Sequence, residues 1–566
     1  MKEKLNDIKE TFVQNAKGII YRRSFAVTLV LIGILLRVKH YLENRSFWVD
    51  EAWVAVSISS RTWKEIFSHF RILSDMPHLP LGFALLEKTS ITLLGNHEYA
   101  LRLFPLIAGI LSLVLFCFLL KSFVDEKTFP IALCLFVFCD PLVYYAAELK
   151  QYSSDVLISL VFFWIFQSMR KQKCSGGHVF LFGCMGAVGL WISNASIFVL
   201  TSVGLTLAGA CCVTREWKRF LKLNMAFLLW LGSFILLYKI SLDYIVHNEA
   251  TLVTWQDAFI PDPVFSLTSL LWLKKVCVNV FKDPVGLSFP WLWLFVFVVG
   301  CVKVVKQDKE KFFFLLLPIL LTLIAAILHK YPFRGRMLLF TVPIFLIFIS
   351  EGTIFLLDKL KKFKWIATGV IMALLFAHPV TTAAHYLTHD RIISENRDVM
   401  KFLKRNFGRN DFLFMNNSAQ YPYWYYVGKP KAVYLIPDEA NLGQGNIPAQ
   451  GVIVGKIFDI LRFSPKNTPY AFVKFVLEVY SPEGLFRDSV MYNNYSKKHS
   501  VIHKNKSFSF LGRDRIWFLF YHGDPRVKDL MIQTLEQQGE KVTSYERGET
   551  SLYLYALRRK RFLKRK

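Results

Sequence analysis

Apolar residues in this chain run in long blocks, without the short mixed periodicity of a soluble domain. Residues 24–42, 98–121, 128–147, 150–169, 178–193, 195–212, 224–243, 288–305, 312–330, 337–357 and 364–386 are rich in Leu, Ile, Val and Phe and carry few charges. Each comes close to the ~20 residues that an α-helix needs to cross the hydrocarbon of a bilayer. The pattern predicts a polytopic α-helical membrane protein with about eleven transmembrane helices. The first block has no small-residue cleavage site and leads straight into further blocks. It is expected to stay as a span and not to be removed as a signal peptide.

Charge sharpens this picture. The formal net charge is +27, an excess that can signal nucleic acid. Here, however, the Lys and Arg fall in short clusters between the apolar blocks: RKQK (170–173), REWKRFLK (215–222), KVVKQDKEK (303–311) and DKLKKFK (358–364). That is the pattern of cytoplasmic loops under the positive-inside rule, so membrane lipids are the expected partner and nucleic acid is not. The N-terminal segment, with Lys2, Lys4, Lys9, Lys17, Arg22 and Arg23, is expected on the same side. Alternation then sends loop 43–97 to the extracytoplasmic side. Within it, HLPLGFALLEKTSITLLG reads as a helix lying along the interface. The nine cysteines all lie at or before Cys301, in no zinc or disulfide spacing.

An odd number of spans leaves the last part of the chain outside the cytoplasm. The expected division is a transmembrane domain over 1–387 and a soluble extracytoplasmic α/β domain over 388–566. SENRDVMKFLKRNF reads as an amphipathic helix, followed by a GRND turn and the strand DFLFMN. RIWFLFYH reads as a buried strand, VKDLMIQTLEQQGEKV as a helix and TSLYLYAL as a last strand, an alternation that favours a three-layer sheet. The ending, LRRKRFLKRK, is a solvated tail or a contact for anionic lipid headgroups or polyanionic glycans.

The candidate chemistry gathers at one face of the predicted bundle. RSFWVDEAWVA, just after the first span, carries Asp50 and Glu51. YYAAELKQYSSD, between the third and fourth, brings Glu148, Lys150, Tyr152 and Asp155, and HKYPFRGRM, between the ninth and tenth, brings Arg334 and Arg336. The first loop adds His78, and Arg102 opens the second span. Ionisable groups at a membrane face are costly unless paired or wet, so a convergent set marks a site. Carboxylates can serve as general base or bind a divalent metal; Lys and Arg suit an anionic phosphate. A sugar on a polyprenyl phosphate fits such a set, with its tail among the helices and its sugar facing outward.

The order WVDEAW, HLPL, EYALRLFPLIAGILSL, YYAAELKQYSSD and YPFRGRMLLFTVPIFL resembles the GT-C superfamily of membrane glycosyltransferases. It is most similar to bacterial enzymes of the protein-mannosyltransferase and lipid A aminoarabinose-transferase type, family-39-like. The likeness spans about residues 20–390, and ENRDVMKFLKRN, NDFLFMN and RIWFLFYH are similar to the exterior domain of many bacterial members. The resemblance implies Asp50 as the catalytic acid, followed by Glu51. Lys150, which stands where the family often has Arg before a Pro-Tyr pair, would contact the lipid phosphate. Lys-Gln-Tyr departs from that pattern and lacks the bidentate grip of Arg. Arg334 and Arg336 are second phosphate candidates, with Arg336 preferred and Tyr152 to orient the group. Some members hold a divalent metal near the acids, for which His78, Glu51 and Glu148 are possible ligands. No tight ligand spacing supports one here.

The expected function is therefore an inverting glycosyltransferase of the cell membrane, by its architecture a bacterial inner membrane. It would move a sugar from a polyprenyl-phosphate donor to an acceptor hydroxyl of a glycan, lipid or protein. The rival is a carrier that flips lipid-linked sugars, but the charges collect at one face and no internal repeat is present. A third reading, a glycan-binding protein, would use the five aromatics of NSAQYPYWYYVGKP, a density that reads first as packing.

Overall fold

The structure, a computed structural model, describes residues 23–68, 79–170, 175–247, 255–360, 364–408, 411–428, 433–436, 452–455, 515–521 and, with short gaps, 528–557. The chain divides into two compact units. One comprises Met1–Asn44, Trp63–Ser74 and His78–Asp390; the other comprises Arg45–Thr62, Asp75–Pro77 and Arg391–Lys566. The second unit thus takes in a short early segment as well as the C-terminal part.

In the helical unit every apolar block has become a helix. Nine among the described residues are long and apolar enough to cross a membrane, and the pair Phe129–Phe138 and Asp140–Ala147 adds a tenth crossing if taken as one span. The block at 178–193 forms Gly176–Ile192, shorter at 17 residues. The protein is a multi-pass membrane protein. The bend of 54° within the pair has a local cause: Pro141 has no N–H to continue the helical ladder, and Cys139 takes an extended conformation. HLPLGFALLEKTSITLLG contains the helix Leu81–Leu94, which is too short to span and exposes Leu93 and Leu94.

Loops expected on one side of the membrane meet one another. Arg170 pairs with Asp308 and Glu310, each at 2.7 Å, and the Arg219 guanidinium donates to the Arg170 carbonyl at 2.8 Å. Lys303 pairs with Asp125 at 3.2 Å and with buried Glu351. These contacts join the basic turns read as cytoplasmic. At the opposite helix ends, Lys39 pairs with Asp390 at 3.0 Å, and the Tyr41 hydroxyl donates to the Tyr99 carbonyl at 2.9 Å.

The centre of this unit is the helix within Gly335–Lys359, 89% buried, against 17% for the peripheral Trp365–Thr388. Every residue from Val342 to Thr353 is buried, so this stretch has no face open to solvent or lipid. It meets Pro290–Gln307 at two glycines. A Cβ on Gly300 would lie 1.9 Å from the Phe348 carbonyl oxygen, and one on Gly352 would lie 2.0 Å from that of Val296. Small residues permit this close backbone approach where lipid supplies no hydrophobic drive between helices.

The second unit contains a six-stranded sheet. In chain order the strands are β1 (Phe412–Asn416), β2 (Val433–Ile436), β3 (Val452–Gly455), β4 (Arg515–Tyr521), β5 (Gly539–Arg547) and β6 (Thr550–Leu557), arranged β2-β3-β1-β4-β6-β5. β2, β3, β1 and β4 are parallel, whereas β6 runs antiparallel to β4 and β5 to β6. Six of the seven β4 residues are buried, as expected for a strand covered on both faces. The helix Asn396–Asn406 buries Val399, Met400 and Leu403, at helical spacing, in a core with Trp517 and Tyr521 of β4. DFLFMN, RIWFLFYH and TSLYLYAL are strands as read from the sequence; β2, β3 and β5 were not expected. The basic tail lies outside the described residues.

Glu87, on the helix Leu81–Leu94, gives this fold a pH dependence. It is fully buried, and among the described residues neither carboxylate oxygen has a hydrogen-bond partner. Burial holds its carboxyl well above the ordinary value of 4.5, so the folded chain keeps a proton that the unfolded chain has released. Stability is then greatest below the ordinary value and falls as pH rises beyond it, by up to about 1.4 kcal/mol per pH unit. Glu87→Gln removes this cost: its melting temperature in detergent should exceed the parent's at about pH 8, and the gap should close towards about pH 4.

Candidate active site

Asp50 and Glu51 lie in the first turn of the helix Val49–Ser59, behind Trp48 in an extended conformation. Negative side chains there complement the free N–H groups and positive dipole end of the helix. A step of about 100° around the helix separates the two acids. Glu51 is fully buried, with its carboxylate 3.9 Å from the Nη2 of buried Arg45. Asp50 is half-buried at the rim. The adjacent acids therefore have different environments, one facing a fixed cation and one within reach of solvent.

In the helical unit a second group forms where three connections meet. The bent third span ends in a turn at Tyr145–Ala147, Glu148 is extended, and the helix Tyr152–Arg170 begins. The Lys150 amide donates to the Glu148 carbonyl at 2.7 Å, and Glu148, Lys150 and Tyr152 are all buried. The ring of Tyr145 stands edge-on to Tyr152, centroids 5.0 Å apart. The Arg336 guanidinium lies 5.7 Å from the ring centroid of Tyr152 and 5.7 Å from that of Trp255. Two electron-rich faces thus attract this cation.

The loop preceding Arg336 is fixed by Gly335. This residue has φ +45°, and a Cβ there would come 2.7 Å from the Asp283 carboxylate. The positive φ favours glycine, and any Cβ there would also make the Asp283 carboxylate shift. Arg334, on its other side, is more than half exposed and ion-paired with Asp257. Both arginines of RGR act on the Asp283 carboxylate; Arg334 also pairs with Asp257 at the surface, and Arg336 also faces two rings.

The structure thus brings Tyr152 and Arg336 together and puts Lys150 and Glu148 on the same turn as Tyr152. Arg102 is buried in the second span near Tyr41 of the first. His78 lies outside the described residues. Trp255, Asp257, Asp283 and Tyr145 were not singled out in the sequence. The first three lie in the 244–287 region, which has no periodicity to read; the glycine between two arginines was the one local hint. Among the described residues no three His, Cys, Asp or Glu side chains come together to hold a metal ion.

No family model and no curated protein matches this sequence. Among solved structures, ArnT from Cupriavidus metallidurans bound to undecaprenyl phosphate is similar, with TM-score 0.50 and 10% identity over 94% of this chain and 98% of that one. The fold of this chain is similar to that of this structure. The Archaeoglobus fulgidus oligosaccharyltransferase in complex with Zn and sulfate gives TM-score 0.46 and 11% identity. It is covered over 61% of its length by 72% of this chain. At these identities the likeness is one of fold.

Gly335→Ala should cost about 1–3 kcal/mol, from a left-handed backbone position and a methyl group against a carboxylate. Pairing it with Asp283→Ala should recover part of that loss, seen as a coupling of roughly 1 kcal/mol in a thermal-melting double-mutant cycle. Strict additivity would show that the carboxylate does not hold this loop.

Proposed function

We propose that this protein is an inverting glycosyltransferase that uses a polyprenyl-phosphate-linked sugar and acts on the extracytoplasmic face of a bacterial inner membrane. The N-terminus is cytoplasmic and the strand-containing domain extracytoplasmic. The observation that carries this reading is Arg336 facing the rings of Tyr152 and Trp255, with buried Lys150 two residues before Tyr152, in a fold similar to that of a protein solved with undecaprenyl phosphate. The planar N–H fork of a guanidinium suits phosphate oxygens.

In the reaction, Asp50 takes the proton of an acceptor hydroxyl as its oxygen bonds to the anomeric carbon. The bond from that carbon to the phosphate oxygen breaks, and its electron pair leaves with the polyprenyl phosphate. Lys150 and Arg336 stabilise the negative charge growing on the leaving group, and Tyr152 orients it. A single displacement inverts the anomeric centre. Glu51, fixed by Arg45, supports the helix that carries Asp50. Arg334 stays with Asp257. The acceptor is a hydroxyl of a membrane-associated glycan, lipid or protein.

Asp50→Asn should lower turnover by about 10²–10⁴-fold with donor binding largely kept, since it removes a group needed in the transition state. Arg336→Lys should lower it by roughly tenfold or more, because an ammonium cannot reproduce the planar stacked donor. The assay follows release of polyprenyl phosphate from undecaprenyl-phosphate sugars in proteoliposomes, with and without acceptor. Normal release by Asp50→Asn would refute the assignment. Donor crossing sealed vesicles without acceptor would identify a carrier instead.

A further inference from the structure

The segment that carries Asp50 is built into the strand-containing unit, although roughly 350 residues of chain separate it from its neighbours there. Phe47, three residues before Asp50, is its anchor. The side chain is fully buried, with its ring edge-on to Tyr425 at 5.0 Å. Its amide donates to the Tyr426 hydroxyl at 2.8 Å. Its carbonyl accepts from the Asn396 amide at 2.9 Å and from the Ser394 hydroxyl at 3.1 Å. Both backbone groups of one residue are therefore held by side chains of the C-terminal part.

Those side chains are themselves fixed. Asn396 is fully buried, and its Oδ1 accepts from Thr550 of β6 at 2.8 Å. Trp48 and Val49, flanking the start of the acid-bearing helix, pack into the core formed by Val399, Met400, Trp517 and Tyr521. Three residues beyond Asp50, on the same helical face, Trp53 stacks on Tyr421 with centroids 5.3 Å apart and planes at 22°. The aromatic stretch 420–426 is thus a clamp on the helix Val49–Ser59, gripping it on both sides of Asp50.

We propose that the strand-containing domain positions the catalytic acid, with Tyr426 and Tyr421 as positioning residues that set the direction of the Asp50 carboxylate. This rests on the reading of Asp50 as the general base. Tyr426 holds the chain just before the helix through a backbone bond, and Tyr421 holds its next turn through Trp53. Neither touches the reacting atoms. Their effect is on the geometry of proton transfer, where a displacement of about 1 Å can cost ~10²-fold in rate. On this account the domain is a part of the catalytic apparatus that happens to lie far along the sequence.

The test uses the full-length protein in proteoliposomes and a panel of undecaprenyl-phosphate hexoses and pentoses. Tyr426→Phe and Tyr421→Ala should each lower kcat by about tenfold or more while leaving the donor KM unchanged. Tyr421→Phe should restore most of the rate, because it keeps the stacked ring. Hydrogen exchange at residues 47–52 should quicken in Tyr426→Phe, with the amides of β1 and β4 as protected as in the parent. Parental kcat in both Tyr426→Phe and Tyr421→Ala, with Asp50→Asn inactive, would overturn the positioning role and leave the base assignment intact. Faster exchange throughout β1 and β4, with no rescue by Tyr421→Phe, would reduce these tyrosines to fold stability and also overturn it. An active Asp50→Asn would instead remove the reading on which the proposal rests.

Discussion

A charge beside a lipid bilayer persists only where something pairs with it, stacks on it or keeps it wet. This constraint organises the whole chain. It confines ionisable groups to the ends of the helices, and there they find one another. Arg170 meets Asp308 and Glu310 at one end. Lys39 meets Asp390, and Arg334 meets Asp257, at the other. Arg336 has two aromatic faces among its described neighbours.

Asp50 and Glu51 also differ in their surroundings. They are adjacent in sequence and share the first turn of one helix, yet Glu51 is buried near Arg45 while Asp50 is partly exposed. A buried carboxylate near a buried guanidinium is costly to disturb, since removing one partner strands the other. The clamp around Phe47 and Trp53 adds a second constraint on the same helix, from side chains of the strand-containing unit.

Much of the fold was legible because a bilayer imposes a simple code. Each apolar block became a helix, and the basic turns between them met at one end. The amphipathic helix at 396 and the strands at 412, 515 and 550 were equally readable from period and flanking turns. Other elements left weaker signals. β2 and β3 are four residues long, and β5 is a mostly exposed, polar strand. Membership of Arg45–Thr62 in the second unit depends on contacts across most of the chain, which no local pattern encodes. Trp255 and Asp283 were hidden for a similar reason: they gain meaning only when the fold brings them to the RGR turn.

The central claim is one of sidedness, because a polyprenyl-linked sugar presented on the outer face requires the acid-bearing segment to be outside. Ser60, exposed just beyond the helix Val49–Ser59, is the place to measure it. In intact cells, a cysteine at Ser60 should react with a membrane-impermeant thiol reagent, and a cysteine at exposed Lys218 should react only after permeabilisation. Reaction at position 60 only after the membrane is breached would put Asp50 on the cytoplasmic side and contradict the account.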